Sequence, residues 1–226
     1  MYKALLVDLD NTLLDFNKAE DRALTNTLLQ YGVKDTKEIK EEFKMINIKY
    51  WNLFEKGEIS KEELLVRIFK DFFEKYIQNP NAEEINSYYL NHLAESGDLI
   101  KHAYVMLDKI KSYVKIYPVT NGVYNTQVKR LERSGLNKFF EKVFVSEKIG
   151  YQKPKKEFFD YVFKNIPYNK EEVLLLGDSL TADIIGGIDY GIDTCWFNPN
   201  HLNSTLKYTF AIDDLLEVIE LINKKN

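Results

Sequence analysis

The stretch Ala4-Leu5-Leu6-Val7-Asp8-Leu9-Asp10-Asn11-Thr12 opens with four apolar residues in a row and then turns abruptly acidic. A short continuous apolar run is how a central strand of a parallel sheet reads, because both of its faces are covered and neither calls for alternating polar residues. Four later runs share this character: Val114–Val119, Val143–Val145, Val173–Leu176 and Thr194–Phe197. Helical stretches lie between them, over Ala103–Lys111, Thr126–Ser134, Lys155–Lys164 and Ala182–Tyr190. Gly135 and Gly191 stand where C-terminal helix caps are expected. Strands alternating with helices predict an α/β protein built on a doubly wound parallel sheet. An amphipathic helix over roughly Asp213–Asn223 closes the chain.

Residues 16–94 read differently. No comparable strand run occurs there, but apolar residues recur at helical spacing: Phe43, Ile46, Tyr50, Leu53 and Phe54, then Leu64, Leu65, Ile68, Phe72 and Phe73. Asp35 with Glu38, and Ser60 with Glu63, have the spacing of capping boxes, in which side chain and backbone satisfy each other's open hydrogen bonds. Gly57 breaks the helix before the second box. The expected organisation is a core of residues 1–15 and 95–226 with a helical insertion, 16–94, placed as a lid between the first and second strands.

The composition sets limits on function. With 226 residues, 45% of them hydrophobic, the chain can bury a substantial core without disulfides. Its formal net charge of −4 and scattered basic residues argue against a nucleic-acid polymer as partner. The single Cys195 suits a reducing compartment, and its apolar neighbours suggest a small buried side chain. His92, His102 and His201 lack metal-ligand spacing. No apolar run is long enough to span a membrane, and Ala4–Val7 is too short for a signal peptide. The expectation is a soluble cytoplasmic protein.

Ligands in open α/β sheets bind at the carboxyl ends of the strands. The first strand ends in Asp8-Leu9-Asp10, and the Val114 strand in Thr120-Asn121-Gly122. Gly150-Tyr151-Gln152-Lys153-Pro154 follows the Val143 strand. The Val173 strand ends in Gly177-Asp178-Ser179, with Asp183 five residues after Asp178. Alone, an Asp-x-Asp or a Lys-Pro is usually a solvated turn or a cap. Four such pieces, in this order and each at a strand end, are a far more specific signal.

This set resembles the four sequence motifs of the haloacid dehalogenase (HAD) superfamily, and the resemblance covers the whole chain. It implies a Rossmann-like core with a helical cap, and it implies roles. Asp8 would be the nucleophile, since a carboxylate attacks phosphorus and leaves a mixed anhydride that water can cleave. Asp10 would protonate the leaving oxygen and then deprotonate the attacking water. Mg²⁺, which takes oxygen ligands, would be held by Asp8, the backbone carbonyl of Asp10 and Asp178, with Asp183 supporting them from behind. Thr120, Asn121 and Lys153 would hold the phosphoryl oxygens. Dehalogenases of the superfamily lack the second carboxylate, so Asp10 favours phosphoryl chemistry on a small phosphomonoester.

Closer still, Leu14-Asp15-Phe16, Phe144-Val145-Ser146-Glu147, Gly150–Pro154, Gly177–Asp183 and Asp193-Thr194-Cys195-Trp196 resemble the pyrimidine nucleoside 5′-monophosphatases, which also act on noncanonical nucleotides. Tyr50, Trp51 and Phe54, near the break at Gly57, are candidates to contact a base, although helix-bundle core is the ordinary reading of such aromatics. Asn11 replaces the glycine often found in the first motif. The alternatives are a sugar-phosphate or phosphoglycolate phosphatase, a phosphomutase, and a non-catalytic regulator on the same scaffold.

Overall fold

The computed structural model describes residues 2–224. Among them are six strands: β1 (Ala4–Val7), β2 (Lys115–Thr120), β3 (Phe144–Val145), β4 (Val173–Gly177), β5 (Asp193–Phe197) and β6 (Phe210–Ile212). All pair in parallel, in the order β3-β2-β1-β4-β5-β6. Ten α-helices are described: α1 (Phe16–Gln30), α2 (Lys37–Glu55), α3 (Lys61–Phe73), α4 (Ala82–Leu93), α5 (Ala103–Ile110), α6 (Tyr124–Ser134), α7 (Ser146–Ile149), α8 (Lys156–Lys164), α9 (Ile185–Tyr190) and α10 (Glu217–Lys224).

The apolar runs form central strands because each face of the sheet has its own cover. Leu5 and Val7 of β1, Leu174 and Leu176 of β4, and Cys195 of β5 pack with Ala103, Met106, Leu107 and Ile110 of α5 and with Val218 and Ile222 of α10. The alternate residues Ala4, Leu6, Val173 and Leu175 pack on the other side with Phe158, Phe159 and Val162 of α8. Alternation by one residue thus sends every second side chain into a different core. Fully burying each of the Val, Leu, Ile, Met and Phe side chains among these contributes about 1.5–3 kcal/mol. Strand order reverses direction about β1, so its carboxyl end faces the crevice where open sheets of this kind bind ligands.

The chain forms two compact units, Met1–Phe16 with Gly97–Asn226, and Asn17–Ser96. The second is all helix. Its interior is aromatic: Phe43 lies edge-on to Phe72 at 5.2 Å, and Phe69 meets Tyr89 at 5.1 Å. Ser60 caps α3 with the reciprocal bonds expected of it, its Oγ accepting from Glu63 N–H while Glu63 Oε2 accepts from Ser60 N–H, both at 3.1 Å. The other expected box is displaced. Thr36, not Asp35, is the N-cap of α2, and its hydroxyl oxygen accepts from Ile39 N–H. Asp35 is otherwise engaged, accepting from the Thr25 hydroxyl and pairing with Lys40.

Gly135 and Gly191 take the left-handed conformation at the ends of α6 and α9, as their positions after the periodic stretches imply. Two other features depart from the sequence reading. β6 is three residues long and only partly buried, too short and too exposed for its pattern to register. The closing helix starts at Glu217 rather than Asp213, because Asp213 follows directly on β6 and its N–H, with that of Asp214, donates to Glu217 Oε1. Cys195 is fully buried, and burial pushes its thiol pKa up. No helix among the described residues is long and apolar enough to cross a membrane.

Candidate active site

Four strand ends supply the polar residues at the carboxyl edge of the sheet. Asp8 follows β1 directly, its N–H donating to Leu176 O of β4 at 2.9 Å. The chain then turns sharply, with Leu13 and Leu14 N–H both donating to Leu9 O. Asn11 sits in that turn at φ 59°, in the left-handed region. This accounts for the glycine common at the position, which takes such a conformation without strain, and for asparagine as the tolerated replacement.

Lys153 is the centre of the arrangement. Its side chain is almost completely buried, and its Nζ donates to Asp8 Oδ1 at 2.7 Å, to Asp183 Oδ1 at 2.6 Å and to Val119 O at 2.7 Å. The ammonium therefore spends its three protons on β1, β2 and the segment after β4. Asn121 fixes the backbone that carries it: Asn121 Nδ2 donates to Lys153 O, and Lys153 N–H donates to Asn121 Oδ1, both at 2.9 Å. The Asn121 side chain is thus turned toward Lys153. Thr120 Oγ1 accepts from Gly122 N–H at 3.0 Å and from Gln127 Nε2 at 2.9 Å, which leaves its own O–H as a donor.

Asp178 and Asp183 come from the turn after β4. Thr12 Oγ1 accepts from Asp178 N–H at 3.1 Å. A π-helical turn over Leu180–Ile184 brings Asp183 back toward the sheet, where its Oδ2 accepts from Ser179 N–H. Gly177 makes room for it, since a Cβ there would stand 2.3 Å from the Asp183 carboxylate. One oxygen from each of Asp8, Asp178 and Asp183 can lie within 4.8 Å of the others, an all-oxygen set to which no histidine or cysteine contributes. Hard divalent cations such as Mg²⁺ favour such donors.

The electrostatics follow from crowding acids in a dry place. Burial pushes the Asp8 carboxyl well above the ordinary range, with Asp183, Asp178 and Asp10 adding to the rise and Lys153 opposing it. Burial and the neighbouring Asp183 raise Asp178 to about 7. Burial works against the Lys153 charge, yet Asp183 and Asp8 hold its pKa above the usual lysine value.

Asp10 points to a different set of partners. Its Oδ1 forms an ion pair with Arg130 Nη1, and its Oδ2 accepts from Gln127 Nε2 at 2.7 Å. Thr12, Gln127 and Arg130 were not singled out in the sequence. For the last two the sequence carries no signal, because α6 is polar along its length and only its place in the fold buries Gln127 and Arg130 beside Leu131. The three aromatics of the helical unit divide. Tyr50 and Phe54 are buried, Tyr50 donating to the Asp71 carboxylate, and burial together with that acid pushes its hydroxyl up to about 12. Trp51 is half-buried, edge-on to Phe54 at 5.8 Å, with Lys61 Nζ 4.4 Å from its ring centre.

Comparison with known proteins decides the family. Residues 5–197 match the sequence model of the haloacid dehalogenase-like hydrolases. The chain belongs to that family. The crystal structure of YfnB from Bacillus subtilis, a HAD-hydrolase bound to magnesium, is 39% identical and superimposes with a TM-score of 0.94 over 98% of this chain and 99% of the other. The pyrimidine 5′-nucleotidase PynA of Streptococcus pneumoniae is 38% identical over 97% of this chain and 95% of its own length. The pyrimidine 5′-nucleotidase YjjG of Escherichia coli is 30% identical over 97% of each. With such relatives along its length and two carboxylates in its first motif, this HAD enzyme is a phosphatase.

The raised pKa of Asp178 has a measurable consequence. A folded-state pKa above the unfolded value means the native protein holds a proton that the unfolded chain has released. The associated stability is present below about 4 and is lost as pH rises toward 7. In chelator, Asp178→Asn should therefore gain Tm relative to the unsubstituted protein between pH 5 and pH 7.5, by about 2–4 °C for each kcal/mol recovered. Thermal melts of both proteins across that range test it, and a constant difference would refute the assignment.

Proposed function

We infer that the enzyme hydrolyses phosphomonoesters by way of Asp8, and that its preferred substrates are pyrimidine nucleoside 5′-monophosphates, noncanonical bases included. One observation carries the reaction class. A buried carboxylate, Asp8, held through one oxygen by Lys153, stands two residues before the more exposed carboxylate of Asp10. The first is placed to attack and the second to exchange protons with solvent-side atoms.

In the first step an Asp8 oxygen attacks phosphorus, the bond from phosphorus to the leaving oxygen breaks, and Asp10 gives that oxygen its proton. In the second, water attacks the same phosphorus while Asp10 takes its proton. The bond to Asp8 breaks, releasing phosphate and restoring the carboxylate. Lys153 offsets charge on Asp8 throughout, and the Thr120 hydroxyl is positioned at the β2 end as a donor to a phosphoryl oxygen.

When ionised, Asp8, Asp178 and Asp183 set three negative charges against the single ammonium of Lys153, a field that repels a phosphate dianion. The oxygen-only donor set fits Mg²⁺, with Asp8, Asp178 and the Asp10 carbonyl as the groups to hold it. Both Asp183 oxygens already accept hydrogen bonds, from Lys153 and from Ser179, which supports a backing role for that residue. When bound, the ion supplies the positive charge that reverses the field at the phosphoryl oxygens.

Activity should vanish in chelator and return with Mg²⁺ or Mn²⁺. Asp8→Asn should abolish both turnover and phosphoenzyme, whereas Asp10→Asn should slow turnover by about 10²–10⁴-fold through loss of proton transfer. Mass spectrometry after mixing with substrate separates the two roles, and a phosphorylated Asp8→Asn protein would show that the nucleophile lies elsewhere.

The substrate class rests on likeness to PynA and YjjG, both named pyrimidine 5′-nucleotidases. We assign the choice among phosphomonoesters to the helical unit, with half-buried Trp51 as the aromatic to test. A stacked base is worth about 1–3 kcal/mol, enough to shift selectivity roughly tenfold or more. Pyrimidine nucleoside monophosphates, deoxy forms included, should show higher kcat/KM than hexose phosphates, and Trp51→Ala should narrow the gap. Equal or better activity on hexose phosphates would overturn the nucleotidase reading and leave the phosphatase in place. A drop in Tm at an unchanged ratio would make Trp51 part of the helical core.

A further inference from the structure

We propose that Arg130 and Gln127, one turn apart on α6, are positioning residues that aim the Asp10 carboxyl group during proton transfer. The proposal rests on the reading of Asp10 as the general acid and base.

The geometry is specific. Arg130 takes Asp10 Oδ1 through Nη1, and Gln127 takes Oδ2 through Nε2 at 2.7 Å, so both oxygens are held from one helix. The two holders are themselves joined, Arg130 Nη1 donating to Gln127 Oε1 at 3.3 Å. The same Gln127 Nε2 reaches Thr120 Oγ1 at 2.9 Å, which couples the end of β1 to the end of β2. Gly122 leaves space for this amide, since a Cβ at that position would stand 2.5 Å from Gln127 Nε2. The Arg130 guanidinium also lies 5.8 Å from the centre of the Phe16 ring, which limits its lateral freedom.

The arrangement is expensive for a purely structural role. Arg130 is only 1% exposed, and its Nε and Nη2 are buried with no hydrogen-bond partner among the described residues. A buried cation incompletely satisfied is destabilising relative to an apolar side chain of similar length. Its ion-pair partner is the Asp10 carboxylate alone among the described residues.

The chemistry of the contacts explains what the cost achieves. Arg130 and Gln127 Nε2 are donors only, and Gln127 Oε1 is turned to Arg130. When Asp10 carries its proton, neither contact can absorb it, so the proton must be presented away from α6. When Asp10 is ionised, the same two donors keep its oxygens in place for return of a proton from water. Proton transfer depends on reach and angle, so a carboxyl group released from this grip would act as a poorer acid without any change in the nucleophile.

The test compares leaving groups. Protonation by Asp10 matters for an alkyl leaving group and little for p-nitrophenolate, which departs as a stable anion. Arg130→Met should lower kcat/KM for a nucleoside 5′-monophosphate by about tenfold or more, while kcat/KM for p-nitrophenyl phosphate stays within about twofold. Arg130→Lys should restore part of the loss. Gln127→Met should show the same leaving-group dependence, and it becomes the deciding variant if Arg130→Met fails to fold by circular dichroism. In an Asp10→Asn background neither substitution should lower kcat/KM further. Equal losses on both substrates, or losses that multiply with that of Asp10→Asn, would overturn the proposal. If Asp10→Asn itself shows no dependence on leaving group, the acid–base reading of Asp10 fails and the proposal falls with it.

Discussion

The ammonium of Lys153 is the constraint on which the rest of the site depends. It is buried, it donates to Asp8, Asp183 and the carbonyl of Val119, and it is tethered through its own backbone to Asn121. Without it, the carboxylates that follow β1 and β4 would face each other in a medium that screens them weakly. Breaking a buried pair of this sort typically costs about 3–5 kcal/mol, because a charge is left without compensation. The sheet brings the acids together, but a cation from the loop after α7 allows them to stay there. The same residue therefore links the order of the strands to the charge balance of the cleft.

The amount of this that can be read in the chain varies with the kind of constraint. The central strands were legible because burial on both faces leaves continuous apolar runs, as in Ala4–Val7 and Val173–Leu176. Asp8 and Asp178 were legible because they stand at the ends of such runs. β6 was not, since three residues at a partly covered edge carry no pattern. Asp35 and Thr36 both have side chains able to cap α2, and Asp35 is engaged with Thr25 and Lys40 while Thr36 caps the helix. Spacing alone cannot weigh such contacts.

The partners of Asp10 mark the boundary of sequence reasoning most clearly. Gln127 and Arg130 lie more than a hundred residues away in the chain, on a helix whose overall character is polar. Their burial separates them from the other polar residues of α6, and only the folded sheet sets that helix beside the end of β1. The aromatics of the helical unit teach the complementary lesson. Phe43, Phe69, Phe72 and Tyr89 pack against one another, so an abundance of rings there reflects a core first. Trp51 keeps a partial exposure that Tyr50 and Phe54 lack.

Cys195 lies in the middle of β5 and is the sole cysteine of the chain. Alkylating reagents require a thiolate, and a side chain with no exposed surface and a raised pKa offers neither access nor charge. The native protein is therefore silent to maleimides while folded. A cysteine introduced at an exposed position such as Leu29 or Leu202 would be the one site that takes a dye, with the natural residue left in place. The enzyme is in this sense already prepared for single-site fluorescence, and a pair of such positions would let distances within it be followed during turnover.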